Sequence, residues 1–377
     1  MLIGVTRERE ANENRTAMTP DSAKRLVTKG IDVMVESGCG QLAGFPDEAY
    51  VEAGAAIEPD RTNVLAAADV LLRVRKPDTD DLSHMKKGLV HVSYLDPYKE
   101  GDLIRALQGA GISAISMEMV PRTTRAQKMD VLSSQASLAG YVMTLLAATR
   151  LDSILPMMMT PAGTISPARV FVIGAGVAGL QAIATAKRLG ARVQAFDTRP
   201  VVAEQVQSLG AKFLDIDLGE TGETEDGYAR ELTPEQLQMQ QDQMAAAVAQ
   251  ADIVITTAQV FGRPAPRIIT REMVVAMRPG SVIVDMAVDS GGNVEGSEPD
   301  AEVNVNGVII VGVANLPSRV ARDASQMYAS NLENLVAEYW DEEAGEFSLN
   351  LEDEIIKGCL ITHAGEIANS NIKDILT

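Results

Sequence analysis

Cysteine is almost absent from this chain. Two in 377 residues, Cys39 and Cys359, with no CxxC, rule out a disulfide framework and leave two plain thiols. Histidine is nearly as scarce. His84, His91 and His363 form no HExxH and no Cys/His cluster, so zinc chemistry has little support. Long apolar runs are missing, none approaching the roughly eighteen residues that span a membrane. The first residues, MLIGVTRERE, read as a short strand followed by charges and lack the architecture of a signal peptide, so a cytoplasmic chain without direct membrane insertion is expected. Positive charge is in deficit. Against 52 Asp and Glu stand 33 Lys and Arg, a net charge of −19, which excludes nucleic-acid binding by a basic surface. Any bound phosphate must then be held by local backbone dipoles, because the overall field repels it. No short repeat and no low-complexity tract is present.

What is there is a chain that folds. Hydrophobic residues make up 46%, and 377 residues suit two domains. Strand-like and helix-like segments alternate: Met1 to Val5, IDVMVES, VLLRVRKP, LVHVSYL and ISAISMEM read as strands, and Pro20 to Lys29 and DLIRALQGAG as helices. A long helix is expected over 130–152. A second unit follows with ARVFVIGAG, ARVQAFD, DIVITT, SVIVDMAV and GVIIVGV as strands, and a second long helix over 325–340. This is the pattern of an α/β protein, with parallel sheets covered by helices on both faces. Two Rossmann-like doubly wound domains are expected, one inserted in the other, linked by long helices with a cleft between. The first takes residues 1–130 plus 320–377. The second takes 131–319 and includes a mobile acidic loop at about 216–234.

The strongest motif is VFVIGAGVAGLQ. It places Gly174-x-Gly176-x-x-Gly179 after an apolar strand and at the opening of a helix, and the next strand ends in Asp197. That context separates a dinucleotide fingerprint from a chance GxGxxG. Gly174 makes the tight turn, Gly176 lets backbone approach a pyrophosphate, and Gly179 allows close helix–strand packing. Ala175 and Val177 share the turn, and Thr198 and Arg199 follow the acidic residue. Asp197 can bind both ribose hydroxyls and repels a 2′-phosphate, which favours NAD(H) over NADP(H). Arg199 beside it weakens that preference. VDMAVDSGGN ends a strand with two carboxylates and a Gly-Gly turn, and brings Asp289 to the nicotinamide end.

Four stretches, ANENRTAMTP, PRTTRAQKMDVLSSQASLAGY, GAGVAGLQAIATAKRLGA and GSVIVDMAVDSGGN, together resemble the alanine dehydrogenase / nicotinamide nucleotide transhydrogenase family over nearly the whole chain. Two readings lie within it. The first is the NAD(H)-binding component, domain I, of proton-translocating transhydrogenase. This resemblance implies that Arg122 and Asp130 form a charge pair beside the nicotinamide. It makes Gln127 a bridge between the nicotinamide ribose and the NADP(H) of a partner. Ser133 would position the carboxamide and Tyr141 support the loop. Gly227 and Tyr228 would fold onto bound nucleotide from the mobile loop, and Gln240 and Gln259 would contact it. It also implies a homodimer, working with NADP(H)-binding and membrane-spanning subunits on the cytoplasmic face of the inner membrane. The chain stops where that component should end, so a separately encoded subunit is expected.

The second reading is alanine dehydrogenase. It needs an Arg for a substrate carboxylate, a Lys on the carbonyl and a His as acid/base. Arg15 fits the first. Arg75 stands at the lysine position, with Lys76 one residue late, and Asp96 stands at the histidine position. A carboxylate with an ordinary pKa is a poor proton donor at neutral pH. Asp289 is the one position that favours the dehydrogenase. A non-enzymatic NAD(H) sensor is a third possibility. Outside the motif, MMMTPAG is expected to be a soft packing surface at the domain junction, and the acidic DEEAGEFSLNLEDE a solvated hairpin.

Overall fold

The computed structural model describes residues 1–216, 233–259 and 261–376. The chain divides into two compact units, Met1–Gln135 with Pro317–Thr377, and Ala136–Leu316. The first boundary falls inside the helix Val131–Arg150.

The first unit starts from six short strands: β1 (Leu2–Val5), β2 (Asp32–Glu36), β3 (Ala56–Glu58), β4 (Val70–Leu72), β5 (Val90–Ser93) and β6 (Ser113–Ser116). They lie parallel in the order β3-β2-β1-β4-β5-β6, and the tail strands Leu360–His363 and Glu366–Ile367 add antiparallel at the β6 edge. Every residue of β4, β5 and β6 is buried, as a sheet covered on both faces requires. One face packs Ile3, Val5, Val33, Leu72 and Val92 against Tyr328, Leu332 and Leu335 of the helix Ala321–Tyr339. The other packs Leu71 and Leu89 against Ile104 and Leu107 of the helix Gly101–Ala110. The tail therefore completes the core of the first unit. Local signals agree: Thr19 caps the helix Pro20–Thr28 by accepting from the Ser22 amide, with proline at its start.

The second unit opens with a hairpin, β7 (Met158–Thr160) and β8 (Gly163–Ile165). Its sheet contains β9 (Arg169–Ile173), β10 (Arg192–Phe196), β11 (Lys212–Phe213), β12 (Ile253–Thr256), β13 (Val282–Asp285), β14 (Ala301–Val305) and β15 (Val308–Gly312). The order is β11-β10-β9-β12-β13-β15-β14, parallel except for β14. Phe171, Val254, Ile283 and Ile310 pack against Met244 and Val248 on one helix and Met273 and Val274 on another. In both units the strand order reverses once, between β1 and β4 and between β9 and β12. At such a switch point the loops after adjacent strands diverge and leave a crevice.

The helix Val131–Arg150 is long and apolar enough to cross a membrane by length and composition, against the sequence expectation. Its contacts are those of a core helix. A Cβ on Gly140 would lie 2.1 Å from the Ala178 carbonyl oxygen, so two helix backbones meet there, and Thr144 Oγ1 donates to the Ala182 carbonyl at 3.3 Å. Other expectations also need correction. VLLRVRKP is strand only over its first three residues. The three methionines of MMMTPAG enter an exposed hairpin rather than a packed surface.

Candidate functional site

β9 ends at Ile173 and the helix Val177–Arg188 begins four residues later. Gly174 turns the chain with φ +94°, a region closed to most side chains. A Cβ on it would also strike Thr257 Oγ1 at 2.5 Å. A Cβ on Gly179 would lie 1.8 Å from the Gly174 carbonyl oxygen, so Gly179 lets the helix seat against the turn. Gly176 differs from both: a Cβ there meets nothing within 4 Å among the described residues. No side chain caps the helix at Gly176, and Val177 is exposed. The turn thus offers open space over a helix N-terminus, where amide donors and the helix dipole favour an anion. Ala175 is buried under this space.

Asp197 follows β10. One carboxylate oxygen accepts from the Ala175 amide at 2.7 Å and Arg199 NH2 at 3.0 Å; the other accepts from the Arg199 amide and Nε, both at 2.9 Å. Burial would raise this carboxyl, but the Arg199 guanidinium and the two amides hold it below the usual carboxylate range. Arg199 is itself mostly exposed, and Thr198 is exposed beside it. Asp197 therefore ties the end of β10 to the glycine turn, and a ribose hydroxyl reaching it has Arg199 as its competitor.

A buried network missed in the sequence sits after β12 and β13. Asp285, fully buried at the end of β13, accepts from Thr256 Oγ1 at 3.1 Å and from the amides of Ala287, Asn293 and Val294 at 3.0–3.2 Å. Asn293, also fully buried, accepts from the Ala258 amide at 3.1 Å and donates to the carbonyls of Ala258 and Pro266 at 2.8 and 2.9 Å. Together they fasten the loop after β12 to the loop after β13. Gln259 and Asp289 ride on these loops and are exposed, with Gln259 Nε2 donating to the Met286 carbonyl at 3.1 Å. Thr257 Oγ1 donates to the Gly174 carbonyl at 3.0 Å and joins the same loop to the glycine turn. Gln240 is half-buried on the helix Pro234–Gln250. In the sequence VDMAVDSGGN points to Asp289; the signal for Asp285 and Asn293 is their place at either end of a Gly-containing turn.

Arg122, Gln127, Asp130 and Ser133 belong to the first unit, and Tyr141, exposed, to the second. The expected Arg122–Asp130 pair is not formed. Asp130 instead accepts from the Ser133 amide at 2.9 Å and Ser133 Oγ at 2.5 Å, capping the helix Val131–Arg150. Its carboxylate satisfies donors that any helix start leaves open. Arg122 and Gln127 are exposed, and the cation that is engaged here is Arg125, paired with Asp353 at 2.5 Å. Gly227 and Tyr228 lie outside the described residues.

The other switch point, between β1 and β4, is filled by the chain's own charges. Glu8 accepts from the Val74 amide at 2.7 Å and from Arg73 at 3.4 Å. Glu13 takes Arg15 at 2.6 Å and Arg75 at 2.8 Å, and Arg15 also donates to Gln135 at 2.9 Å. Burial opposes the Glu13 charge, but the two guanidiniums hold its carboxyl at about 2. Asp96 has φ +47°, is partly exposed and pairs with Lys99 at 3.2 Å. His91 is fully buried in β5 with Nε2 against Ser93 Oγ at 2.8 Å. Burial, with Arg73 nearby, pushes it down to about 3, so it stays neutral.

Family comparison bears on both units. The model described as "Alanine dehydrogenase/PNT, N-terminal domain" matches residues 4–139, and "Alanine dehydrogenase/PNT, C-terminal domain" matches 143–370. The chain is 45% identical to an NAD(P) transhydrogenase subunit alpha chain of Rhodospirillum rubrum, covering 98% of each. It is 32% identical to alanine dehydrogenase of Bacillus subtilis, covering 86% of this chain and 82% of that one. The crystal structure of transhydrogenase from Sinorhizobium meliloti superposes with a TM-score of 0.86 at 43% identity, covering 98% of this chain and all of that one. With both halves matched, and with the glycine turn and its acidic partner in place, the chain belongs to the alanine dehydrogenase/PNT family.

Proposed function

We propose that this chain is the NAD(H)-binding alpha component of a proton-translocating NAD(P)+ transhydrogenase. Hydride passes directly between its NAD(H) and NADP(H) on a partner subunit, coupled to proton translocation by membrane subunits. It works as a homodimer docked on the cytoplasmic face of the inner membrane. The observation that carries the reading is the glycine turn, with free space above Gly176 and Asp197 fastened to Ala175. The residues fit NAD(H): the turn's amides face a pyrophosphate, and Asp197 faces ribose hydroxyls with a charge that disfavours a 2′-phosphate.

When bound, the nicotinamide supplies or accepts the hydride. The chain's own residues then have only to bind and position. Asp285 and Asn293 hold the loops of Gln259 and Asp289 at fixed spacing after β12 and β13. Asp130 orients Ser133 at the start of its helix. We assign Arg122, Gln127, Ser133 and Tyr141 to the nicotinamide end and Gly227, Tyr228 and Gln240 to closure over the nucleotide. No general acid is needed, because the transferred group carries its own electron pair. Two features speak against alanine dehydrogenase chemistry. Arg15 and Arg75 are both spent on Glu13, and the one histidine near the place of the acid/base is sealed in a strand and stays neutral.

The test is a pair of assays on one preparation. With pyruvate and ammonium the chain should leave NADH absorbance unchanged. After addition of an NADP(H)-binding transhydrogenase subunit and NADP+, NADH should be consumed. Oxidation in the first assay, or none in the second with NADH binding confirmed, would overturn the reading.

A further inference from the structure

The hairpin β7–β8 is unlike the rest of the second unit. Its base is fixed: the Ala168 amide donates to the Leu155 carbonyl at 3.0 Å, and both residues are buried. Beyond that clamp every residue from Pro156 to Ser166 is exposed. Four of these are large and apolar: Met157 (60% exposed), Met158 (45%), Met159 (72%) and Ile165 (47%). Met158 sits opposite Ile165 and Met159 opposite Thr164, so the hairpin is apolar on both faces. The two strands pair only with each other, which leaves both outer edges with open amides and carbonyls.

A lone two-stranded hairpin is marginal in water, and an apolar open edge is a template for another chain. Chains usually blunt such an edge with charge. Here residues 153–168 contain no charged residue in a protein of net charge −19. We propose that this hairpin is the contact surface for a second copy of the chain, which deepens the homodimer reading above and rests on it. Three points select that occupant. Two copies of a strongly acidic chain repel each other everywhere except at a neutral patch, so this is where like copies approach most cheaply. A strand edge and an apolar face are self-complementary across a two-fold axis, and each copy brings both. A lipid surface is disfavoured because interfacial elements set Lys, Arg or Trp beside their apolar residues, and residues 153–168 have none of these.

Sedimentation of the full chain over a range of concentrations tests this, beside the double variant Met158→Glu, Ile165→Glu. Both side chains are exposed, so the variant should fold, with NADH binding and far-UV circular dichroism as controls. The wild type should run at twice its 40.2 kDa chain mass. The variant should run as a monomer, with a dissociation constant raised at least about 100-fold by loss of two apolar anchors and gain of like charge. A wild type that stays monomeric would overturn the homodimer and the hairpin contact together. A folded variant that stays dimeric would overturn the hairpin contact alone. A monomeric wild type that sediments with phosphatidylglycerol vesicles only while the hairpin is intact would also overturn it and give the surface to lipid.

Discussion

The two sheets share one strand order and differ in what occupies the switch point. Between β1 and β4 the chain fills the crevice with its own ions: Glu8 on Arg73 and the Val74 amide, Glu13 on Arg15 and Arg75. Between β9 and β12 the chain leaves a glycine with free space and a helix start without a side-chain cap. Topology provides a crevice in both, but the residues of two short loops decide whether it can take a ligand. Fold-level resemblance therefore says little about which half binds; the loops after β1 and β9 say it. The same contrast explains why the charges of the first unit belong to stability and those of the second, such as Asp197, to recognition.

The largest break of this comparison comes from removing the ion that closes the first crevice. Glu13→Ala leaves the buried Arg15 without its carboxylate. A buried charge stripped of its partner costs about 3–5 kcal/mol. Urea unfolding followed by the single tryptophan, Trp340, reads the first unit, since that residue lies in its tail. The midpoint should fall well below the wild type's with the slope unchanged. A loss under about 1 kcal/mol would mean the crevice is wet and the pair merely solvated.

A second test concerns His91, buried in β5 between the strands β4 and β6. Its folded pKa is depressed to about 3 from an ordinary 6.5. As pH falls below 6.5 the unfolded chain takes up a proton that the folded chain refuses until about pH 3. Stability is therefore lost through that window on acidification. Between pH 6.5 and 5 the loss from this group is about 2 kcal/mol, at 1.36 kcal/mol per pH unit. Glu13 acts lower down, its contribution vanishing between about 4.5 and 2. His91→Gln should remove the increment above pH 5. An unchanged slope would show that His91 reaches solvent.

Much of this arrangement is legible before the fold. GAGVAG sits between an apolar strand and a helix, and local spacing is enough to place Gly174, Gly176, Gly179 and Asp197. The charges of TRERE and ANENR are harder. They read as a solvated segment, yet Glu8 and Glu13 are buried, because their partners come from residues sixty or more away. Asp285 and Asn293 are hidden for a like reason: their partners include Thr256, Ala258 and Pro266, on the preceding strand and its loop. Asp130 shows a third limit. Its carboxylate is claimed by the helix it starts, and the sequence does not say which of two donors prevails. The methionines at 157–159 look like core by composition, and only tertiary context shows them exposed.

The smallest change sharpens the comparison most. Gly176→Ala adds one methyl in open space, at a position whose φ of −77° any residue adopts. Stability should fall by less than about 1 kcal/mol, the scale of a poorer helix cap. NADH affinity should fall about tenfold, because the methyl stands where a pyrophosphate must come against the helix start. Gly179→Ala is the control. Its Cβ would lie 1.8 Å from the Gly174 carbonyl, so it should cost about 1–3 kcal/mol of stability by overpacking. Thermal unfolding with and without NADH, beside a fluorescence titration, separates the two. If Gly176→Ala binds NADH as well as the wild type, the open space at the second switch point is not where the phosphates lie. The contrast between the two crevices would then rest on Asp197 and its neighbours, and no longer on the glycine turn.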